Sequence, residues 1–258
     1  MLLAIDVGNT HTVLGVWDDT RLSAHWRVTT RSERTSDEMS VLIQSLFGTS
    51  AEISKSDISD AIVSSVVPSL TRTMVDMTKA LFDVDCLVVG PGLKTGMPIR
   101  YEDPREVGAD RIVNAVAAYN RWSSGLVIVD FGTATTFDVV SPDGAYLGGS
   151  ICPGIGISSQ ALFAHAARLP RVDFVRPEHV VGRNTVASIQ SGLVFGYVGL
   201  VEGLIKRIKD SVDFEFSVVA TGGLATQIAR ETSVIKKVES DLTLDGLRIL
   251  HLRNRNRD

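Results

Sequence analysis

The first part of the chain alternates between short apolar runs and turn residues. Residues 2–5 are apolar, Asp6-Val7-Gly8-Asn9-Thr10 follows, and apolar residues return over 12–17. Short apolar runs bounded by Gly, Asn and Asp are typical of β-strands joined by turns. The pattern predicts two strands here and, after Asp18-Asp19, a third strand over residues 21–29.

Further along, runs with helical spacing alternate with short apolar runs. Helices are predicted over residues 36–47, 70–81, 108–119 and 186–198. Strands are predicted over residues 61–67, 86–89, 126–130, 135–140 and 217–220. Strands that alternate with helices indicate an α/β protein.

The opening pattern occurs again half a chain later. Residues 128–134, Ile-Val-Asp-Phe-Gly-Thr-Ala, repeat the order apolar, apolar, Asp, apolar, Gly, small polar, small of residues 4–10. A repeat of this kind indicates two similar α/β halves. We expect domains over 1–118 and 119–258, with the C-terminal segment packing back on the first, and we expect the two Asp-x-Gly turns to face each other.

These turns carry the candidate chemistry. Glycine turns at strand ends leave backbone N–H groups that bind phosphate, and an aspartate there can hold Mg²⁺ directly or through water. One such turn alone is more often only a strand-end turn, but a pair after two apolar strands favours a nucleotide site. The chain has no Walker P-loop and no dinucleotide fingerprint. The sequence therefore predicts the actin-like class of duplicated α/β folds, with the nucleotide in the cleft between the halves.

Composition narrows the function classes. The chain has 258 residues, 44% of them hydrophobic and 22% charged, which is ordinary for a globular protein with a large core. The net charge of −4 gives no reason to expect nucleic acid as a partner. Without a signal peptide, an uninterrupted apolar stretch of about 18 residues or a disulfide framework, we expect a cytoplasmic protein with no membrane partner. The basic stretch over 253–257 is interpreted as a solvated tail.

An ordered series of short motifs resembles type III pantothenate kinase over residues 1 to about 250. The series is Asp6-Val7-Gly8-Asn9-Thr10, Val63-Ser64-Ser65-Val66-Val67-Pro68, Gly108-Ala109-Asp110-Arg111, Val129-Asp130-Phe131-Gly132-Thr133-Ala134-Thr135, Gly148-Gly149-Ser150-Ile151-Cys152-Pro153-Gly154, Gly182-Arg183-Asn184-Thr185, Thr221-Gly222-Gly223 and Leu242-Thr243-Leu244-Asp245-Gly246-Leu247. Each piece alone is weak, but the ordered set is specific.

The resemblance implies a fold, an activity and partners. The fold is the duplicated actin-like (ribonuclease H-like) ATPase fold of the acetate and sugar kinase, Hsc70 and actin superfamily. The activity is ATP-dependent phosphorylation of pantothenate to 4′-phosphopantothenate, the first step of coenzyme A synthesis. The resemblance also implies Mg²⁺, a monovalent cation (K⁺ or NH₄⁺), and a homodimer with the active site at the interface.

The resemblance also implies roles for individual residues. Asp110 is the general base, Asp130 holds the monovalent cation, and Asp6 lies near Mg²⁺. ATP is contacted by Asp6, Val7, Gly8, Asn9, Thr10, His11, Thr12, Val13 and Thr133. Pantothenate is contacted by Tyr101, Gly108, Ala109, Asp110, Arg111 and Thr185, with the subunit that supplies Thr185 left open.

Other interpretations stay open on the residues alone. Asp110 could be only a helix N-cap, Arg111 a surface arginine, and Thr185 a helix N-cap. A catalytically silent, kinase-like accessory factor for transcription is the main functional alternative, although Asp6, Asp110 and Asp130 are all present. A phosphatase of the same superfamily ranks low, because the second turn lacks a longer glycine run.

Overall fold

The computed structural model describes residues 1–50 and 53–255, which divide into two compact units. Unit 1 comprises Met1–Arg121 and the segment from Asp241, and unit 2 comprises Trp122–Ser240. The first boundary lies between Arg121 and Trp122, and the segment from Asp241 groups with unit 1.

The elements alternate along the chain. The strands are β1 (Leu2–Val7), β2 (His11–Asp18), β3 (Arg21–Thr29), β4 (Asp60–Ser65), β5 (Cys86–Val88), β6 (Leu126–Phe131), β7 (Ala134–Val140), β8 (Tyr146–Pro153), β9 (Ser217–Gly222) and β10 (Lys237–Val238). The helices are α1 (Ser36–Gly48), α2 (Pro68–Phe82), α3 (Ala109–Trp122), α4 (Ile155–His165), α5 (Thr185–Ser211), α6 (Ala225–Ala229) and α7 (Leu242–Asn254).

Each unit contains one five-stranded sheet, and the two sheets share one topology. The order is β3-β2-β1-β4-β5 in unit 1 and β8-β7-β6-β9-β10 in unit 2. In both sheets three antiparallel strands come first, and two parallel strands then extend the other edge. The duplication read from the sequence is therefore a duplication of sheet topology.

The sheet of unit 1 is buried on both faces at its centre. Leu3 and Ile5 of β1 are fully buried, and the core also takes in Ile43 of α1 and Met74 of α2. Helix α1 begins with a capping box, in which the Thr35 side chain accepts from the Glu38 backbone N–H and the Glu38 carboxylate accepts from Thr35 N–H. Helix α7 belongs to the same unit.

The core of unit 2 is built on β6 and the long helix α5. Val127 and Val129 of β6 pack in one cluster with Val201 of α5, and all three are fully buried. In the described part of the chain α5 is the one helix that is long and apolar enough, by length and composition, to cross a membrane. One such helix is weak evidence for a membrane span, since the core helix of a soluble protein passes the same test.

The prediction of a solvated tail over 253–257 was wrong for Asn254, whereas Arg253 and Arg255 are exposed. Residues 253 and 254 were expected in a solvated tail, but both belong to α7. Asn254 is only 5% exposed, because it hydrogen bonds to the backbone of Lys94. Asn256 and Arg257 lie outside the described residues.

Candidate functional site

The first candidate phosphate loop is a braced β-turn between β1 and β2. Gly8 N–H donates to the His11 carbonyl at 3.0 Å. Thr30 Oγ1 donates to the Gly8 carbonyl at 2.8 Å and lies 2.9 Å from Thr12 Oγ1. Because the one Thr30 hydroxyl proton goes to Gly8, Thr12 is the donor of the second bond. These bonds fix the turn, while Asn9, Thr10 and His11 remain exposed.

Not every residue of this loop can offer a side chain to a nucleotide. Val7 is fully buried and Thr12 is 1% exposed. Asp6 is half-buried near the end of β1, where it pairs in register with Val13 of β2 and Ser64 of β4. Partial removal of water from the His11 ring, with the nearby Arg27 charge, lowers the pKa of His11. Among the side chains assigned to this loop, those of Asn9, Thr10 and His11 are exposed, and those of Asp6 and Val13 are partly buried.

The second candidate loop lies between β6 and β7. Gly132 N–H donates to the Ala134 carbonyl at 3.0 Å, and Gly154 N–H donates to the Thr133 carbonyl at 3.1 Å. A Cβ atom at Gly154 would lie 2.6 Å from the Gly132 carbonyl oxygen. The first turn of α4 therefore begins directly against this loop, with its unbonded N–H groups nearby. Sequence patterning did not predict α4, although the Gly148–Gly154 motif ends at its start.

Asp130 occupies in unit 2 the register position that Asp6 occupies in unit 1. It pairs with Thr136 of β7 and Thr221 of β9. Gly222 follows Thr221 with a φ of +92°, and a Cβ atom there would lie 2.5 Å from Asp130 Oδ1. Only glycine leaves room for the carboxylate at this strand end. Gly222 is a site residue to which the sequence analysis gave no role, although its place in a strand-end Gly-Gly turn was visible.

Asp110 lies in the first turn of α3. The helix begins at Ala109, so Asp110 is inside the helix and the N-cap interpretation was wrong in its position. The carboxylate still accepts a hydrogen bond from the first turn of the helix, because Arg111 N–H donates to Asp110 Oδ1 at 2.8 Å. A Cβ atom at Gly108 would lie 2.6 Å from the same oxygen. Gly108 therefore keeps open the space that the carboxylate fills.

The electrostatics of Asp110 are dominated by burial. Burial raises the pKa of this carboxyl, and the Arg111 N–H and the Arg111 charge oppose that shift only in part. A helix N-terminus was expected to favour the ionised form. The structure gives the opposite net direction, because removal of water from the carboxylate outweighs the favourable contacts. A carboxylate with a raised pKa is a stronger base than an exposed one.

The other candidate substrate residues differ in exposure. Arg111 is only 7% exposed, so its interpretation as a surface arginine was wrong. Tyr101 is 36% exposed and precedes a short 3₁₀ turn, Pro104–Glu106. Both residues belong to unit 1, as do Gly108, Ala109 and Asp110.

Thr185 is the first residue of α5. Its interpretation as an N-cap was wrong, because Asn184 is the N-cap and its side chain accepts from Ala187 N–H at 2.8 Å. Thr185 lines a cavity of about 760 Å³ within unit 2, between α4 and the start of α5. The cavity is also lined by Ser158, Leu162, Arg183, Ile189 and Tyr197.

The structure therefore groups the candidate residues into local sets. Unit 1 holds the first loop and the segment Tyr101–Arg111, and unit 2 holds Asp130, Thr133 and Thr185. Among the described residues, no three His, Cys, Asp or Glu side chains come together as a metal-binding group. Any divalent cation held by Asp6 would need further oxygen ligands from a phosphate or water.

Comparison with known proteins identifies the family. The sequence profile of type III pantothenate kinase matches residues 2–207, which is most of the chain. The chain belongs to the type III pantothenate kinase family. A type III pantothenate kinase from Anaeromyxobacter sp. (strain Fw109-5) is 60% identical over 255 residues, which cover 99% of this chain and 100% of that protein.

Solved structures confirm the fold expected from the sequence. A Baf-family protein from Campylobacter jejuni, assigned as a transcriptional activator, aligns with a TM-score of 0.62 at 17% identity, covering 98% of this chain and 99% of that one. The polyphosphate/ATP-glucomannokinase of Arthrobacter sp. strain KM aligns with a TM-score of 0.51 at 13% identity, covering 98% of both chains. At these identities the likeness shows the fold alone, a duplicated actin-like α/β fold that this pantothenate kinase family member shares.

Proposed function

We propose that this chain transfers the γ-phosphoryl group of ATP to the primary hydroxyl of pantothenate, which yields 4′-phosphopantothenate in the first step of coenzyme A synthesis. The observation that carries the proposal is membership of the type III pantothenate kinase family over the whole described fold. The half-buried Asp110 carboxylate at the start of α3 supports the mechanism.

Asp110 acts as the general base in this proposal. It accepts the hydroxyl proton while the pantothenate oxygen forms a bond to the γ-phosphorus and the bond from that phosphorus to the bridging oxygen breaks, so that ADP leaves. Its raised pKa supports this role, because a buried carboxylate takes up a proton more readily. Phosphoryl transfer otherwise requires positioning and charge neutralisation rather than covalent help.

Residues around Asp110 bind pantothenate. The Arg111 guanidinium can bind the carboxylate of pantothenate with two parallel hydrogen bonds. Its burial supports a fixed geometry rather than a mobile surface contact. Tyr101, Gly108, Ala109 and Thr185 complete the proposed contacts, with Thr185 supplied from the same subunit or its partner.

We assign ATP-binding residues within each glycine loop separately. In the first loop we assign Asp6, Val7, Gly8, Asn9, Thr10, His11, Thr12 and Val13 to ATP, with Val7 and Thr12 restricted to their backbone groups by burial. In the second loop we assign Thr133. The Gly154 contact brings the positive end of α4 to that loop, which suits an anion.

The residues present fit two cations. Asp6 offers one carboxylate, and Mg²⁺ bound to ATP typically takes one or two carboxylates beside phosphate oxygens and water. Asp130 offers a carboxylate whose position depends on the absence of a side chain at Gly222, and carboxylate oxygens can bind K⁺ or NH₄⁺. The cations would supply positive charge that neutralises the phosphates.

We also propose a cytoplasmic homodimer that binds neither nucleic acid nor membrane. Apolar side chains are exposed on α4, on the following segment and at the start of α5: Ile157, Leu162, Val180, Val181 and Val186. Their exposure supports the proposal that a second copy of the chain covers this surface. Val180, Val181 and Val186 lie close to Thr185 in the sequence, and Leu162 lines the same cavity as Thr185. This placement fits an active site at the subunit interface. No observation favours the transcriptional alternative.

The test is ATP turnover by the purified protein. ADP release is measured with Mg²⁺, with and without pantothenate, in K⁺ and in Na⁺. The proposal predicts pantothenate-dependent release that requires K⁺. Folded protein that binds ATP but releases ADP at the same rate with and without pantothenate in either salt would contradict it.

A further inference from the structure

Helix α7 contacts both flanks of the segment to which we assign pantothenate binding. We infer that α7 is a positioning element for residues 94–111, acting through Asn254 near its C-terminal end and Thr243 near its N-terminal end. The inference rests on the proposed function, because that proposal gives the segment its substrate. The motif over 242–247 was noted in the sequence, but no role had been assigned to it.

Asn254 forms a two-way amide pair with one distant residue. Lys94 N–H donates to Asn254 Oδ1 at 3.0 Å, and Asn254 Nδ2 donates to the Lys94 carbonyl at 3.0 Å. Nδ2 also donates to the Leu250 carbonyl of its own helix at 2.8 Å. Since Asn254 is 5% exposed, water cannot readily replace these bonds when the amide is removed.

The turn that follows Lys94 is fixed against the same helix end. Arg253 Nη1 donates to the Thr95 carbonyl. Gly96 has a φ of +66°, and a Cβ atom there would lie 2.7 Å from Arg253 Nη1. Thr95 Oγ1 donates to the Met97 carbonyl at 3.0 Å, and Met97 is 7% exposed. These contacts fix the turn over residues 95–97, from which the chain continues to Tyr101.

The other end of α7 holds the helix that carries Asp110. Thr243 Oγ1 donates to Asn114 Oδ1 at 2.7 Å, and Asn114 is 1% exposed. A Cβ atom at Gly246 would lie 2.7 Å from Val113 Cγ1. The two helices thus approach closely about one turn beyond Asp110, since a turn of helix is about 3.6 residues.

The segment needs such support because it has little regular structure of its own. Between the end of β5 and the start of α3 it contains one short 3₁₀ turn, Pro104–Glu106. Substrate-binding groups act well only when neighbouring contacts fix them to within a fraction of an ångström. Here α7 supplies those contacts from residues about 160 positions away along the chain.

The experiment compares four variants of the full-length protein. Asn254→Ala removes both halves of the amide pair, and Asn254→Asp keeps the size and the acceptor but loses both donated bonds. Thr243→Val tests the other end of α7 without a change of shape. Leu252→Ala, at an α7 side chain that is 49% exposed, is the matched control. KM for pantothenate, KM for ATP and amide hydrogen exchange are measured on each.

We expect both Asn254 variants to raise KM for pantothenate about tenfold while KM for ATP changes less than about twofold. Hydrogen exchange should become faster over residues 94–111 and stay unchanged over residues 126–140. Thr243→Val should show a smaller change of the same kind, and Leu252→Ala should match the unmodified protein.

Two results would overturn the inference: unchanged exchange over 94–111 in the Asn254 variants, or an equal rise of both KM values with faster exchange throughout unit 1. If Asn254→Ala fails to fold, Asn254→Asp and Thr243→Val decide the question. If the unmodified protein makes no phosphopantothenate, the proposed function fails instead, and hydrogen exchange alone then shows whether α7 holds the segment.

Discussion

Gly222 and Asp130 fit together so closely that no other residue could replace the glycine without displacing the carboxylate. The two lie on neighbouring parallel strands, and a Cβ atom at Gly222 would come within 2.5 Å of Asp130 Oδ1. The φ of +92° at Gly222 adds a backbone reason for the same restriction. Asp130 is the residue to which we assign the monovalent cation, so Gly222 controls the space of that site.

Gly222→Ala should therefore weaken binding of the monovalent cation. We expect the K⁺ concentration for half-maximal activity to rise about tenfold or more, since misplacement of a site group by about 1 Å commonly costs that much. Gly199→Ala is the matched control, because a Cβ atom at Gly199 in α5 would meet nothing within 4 Å. An unchanged K⁺ requirement in Gly222→Ala would contradict the assignment of Asp130.

Asp110→Asn should separate activity from stability. Activity should fall by about 10²- to 10⁴-fold, the usual contribution of a general base. Stability should respond differently: as pH rises, the free energy of unfolding of the native protein should fall relative to that of Asp110→Asn. The reason is that the folded protein holds the Asp110 proton more tightly than the unfolded chain. Above the unfolded pKa, the native protein therefore loses stability that the asparagine variant keeps.

Urea denaturation of both proteins from acidic to neutral pH checks this prediction. The difference in unfolding free energy between the asparagine variant and the native protein should increase with pH. A difference that falls as pH rises would mean that the Asp110 pKa is lowered by its contacts rather than raised by burial.

His251 should make the protein sensitive to mild acid. Burial lowers the pKa of His251, with the Asp60 carboxylate opposing this and the Arg255 charge adding to it. His251 Nε2 lies 3.2 Å from Asp60 Oδ1, which joins α7 to β4. Because the unfolded chain binds the proton more readily, stability present above about pH 6.5 is lost as pH falls.

The urea midpoint at about pH 7.5 and about pH 5.5 measures this effect. His251→Gln should reduce the loss of stability between the two pH values. His179→Gln, at a side chain that is 67% exposed, is the control and should leave the loss unchanged. An identical loss in both variants would show that His251 is not responsible.

Thr12 and Thr135 hold equivalent places in the two halves but differ in hydrogen bonding. Thr12 Oγ1 bonds to Thr30 at 2.9 Å, whereas the fully buried Thr135 Oγ1 has no hydrogen-bond partner among the described residues. Thr12→Val should lower the free energy of unfolding by about 1 kcal/mol, and Thr135→Val should leave it unchanged or raise it. Thermal denaturation of the two isosteric variants checks this, and an equal loss in both would contradict it.

Much of the fold could be predicted from local pattern. The apolar strands β1, β2, β6 and β7 and the Asp-x-Gly turns between them were visible because alternation and turn residues are local signals. Strand β8 was missed, since Gly148-Gly149-Ser150 interrupts its apolar pattern and pairing with β7 forms it instead. Helix α4 was missed because its apolar residues do not gather on one face.

The positions that depend on distant contacts were hidden. Asn254 was interpreted as part of a solvated tail because its neighbours are arginines, and only its pairing with Lys94 explains its burial. From its place on a predicted amphipathic helix Arg111 was interpreted as a surface residue, yet it is buried. The raised pKa of Asp110 likewise follows from burial in the folded unit, which no sequence pattern reports.

The measurement that tests the central claim most directly is detection of the product by mass spectrometry. Purified protein is incubated with ATP, Mg²⁺, K⁺ and pantothenate, beside an Asp110→Asn sample that is folded at the assay temperature. We predict 4′-phosphopantothenate formed in step with ADP by the native protein and nearly none by the variant. Folded native protein that binds ATP and leaves pantothenate unmodified would contradict the account, and equal product from both proteins would remove Asp110 as the base.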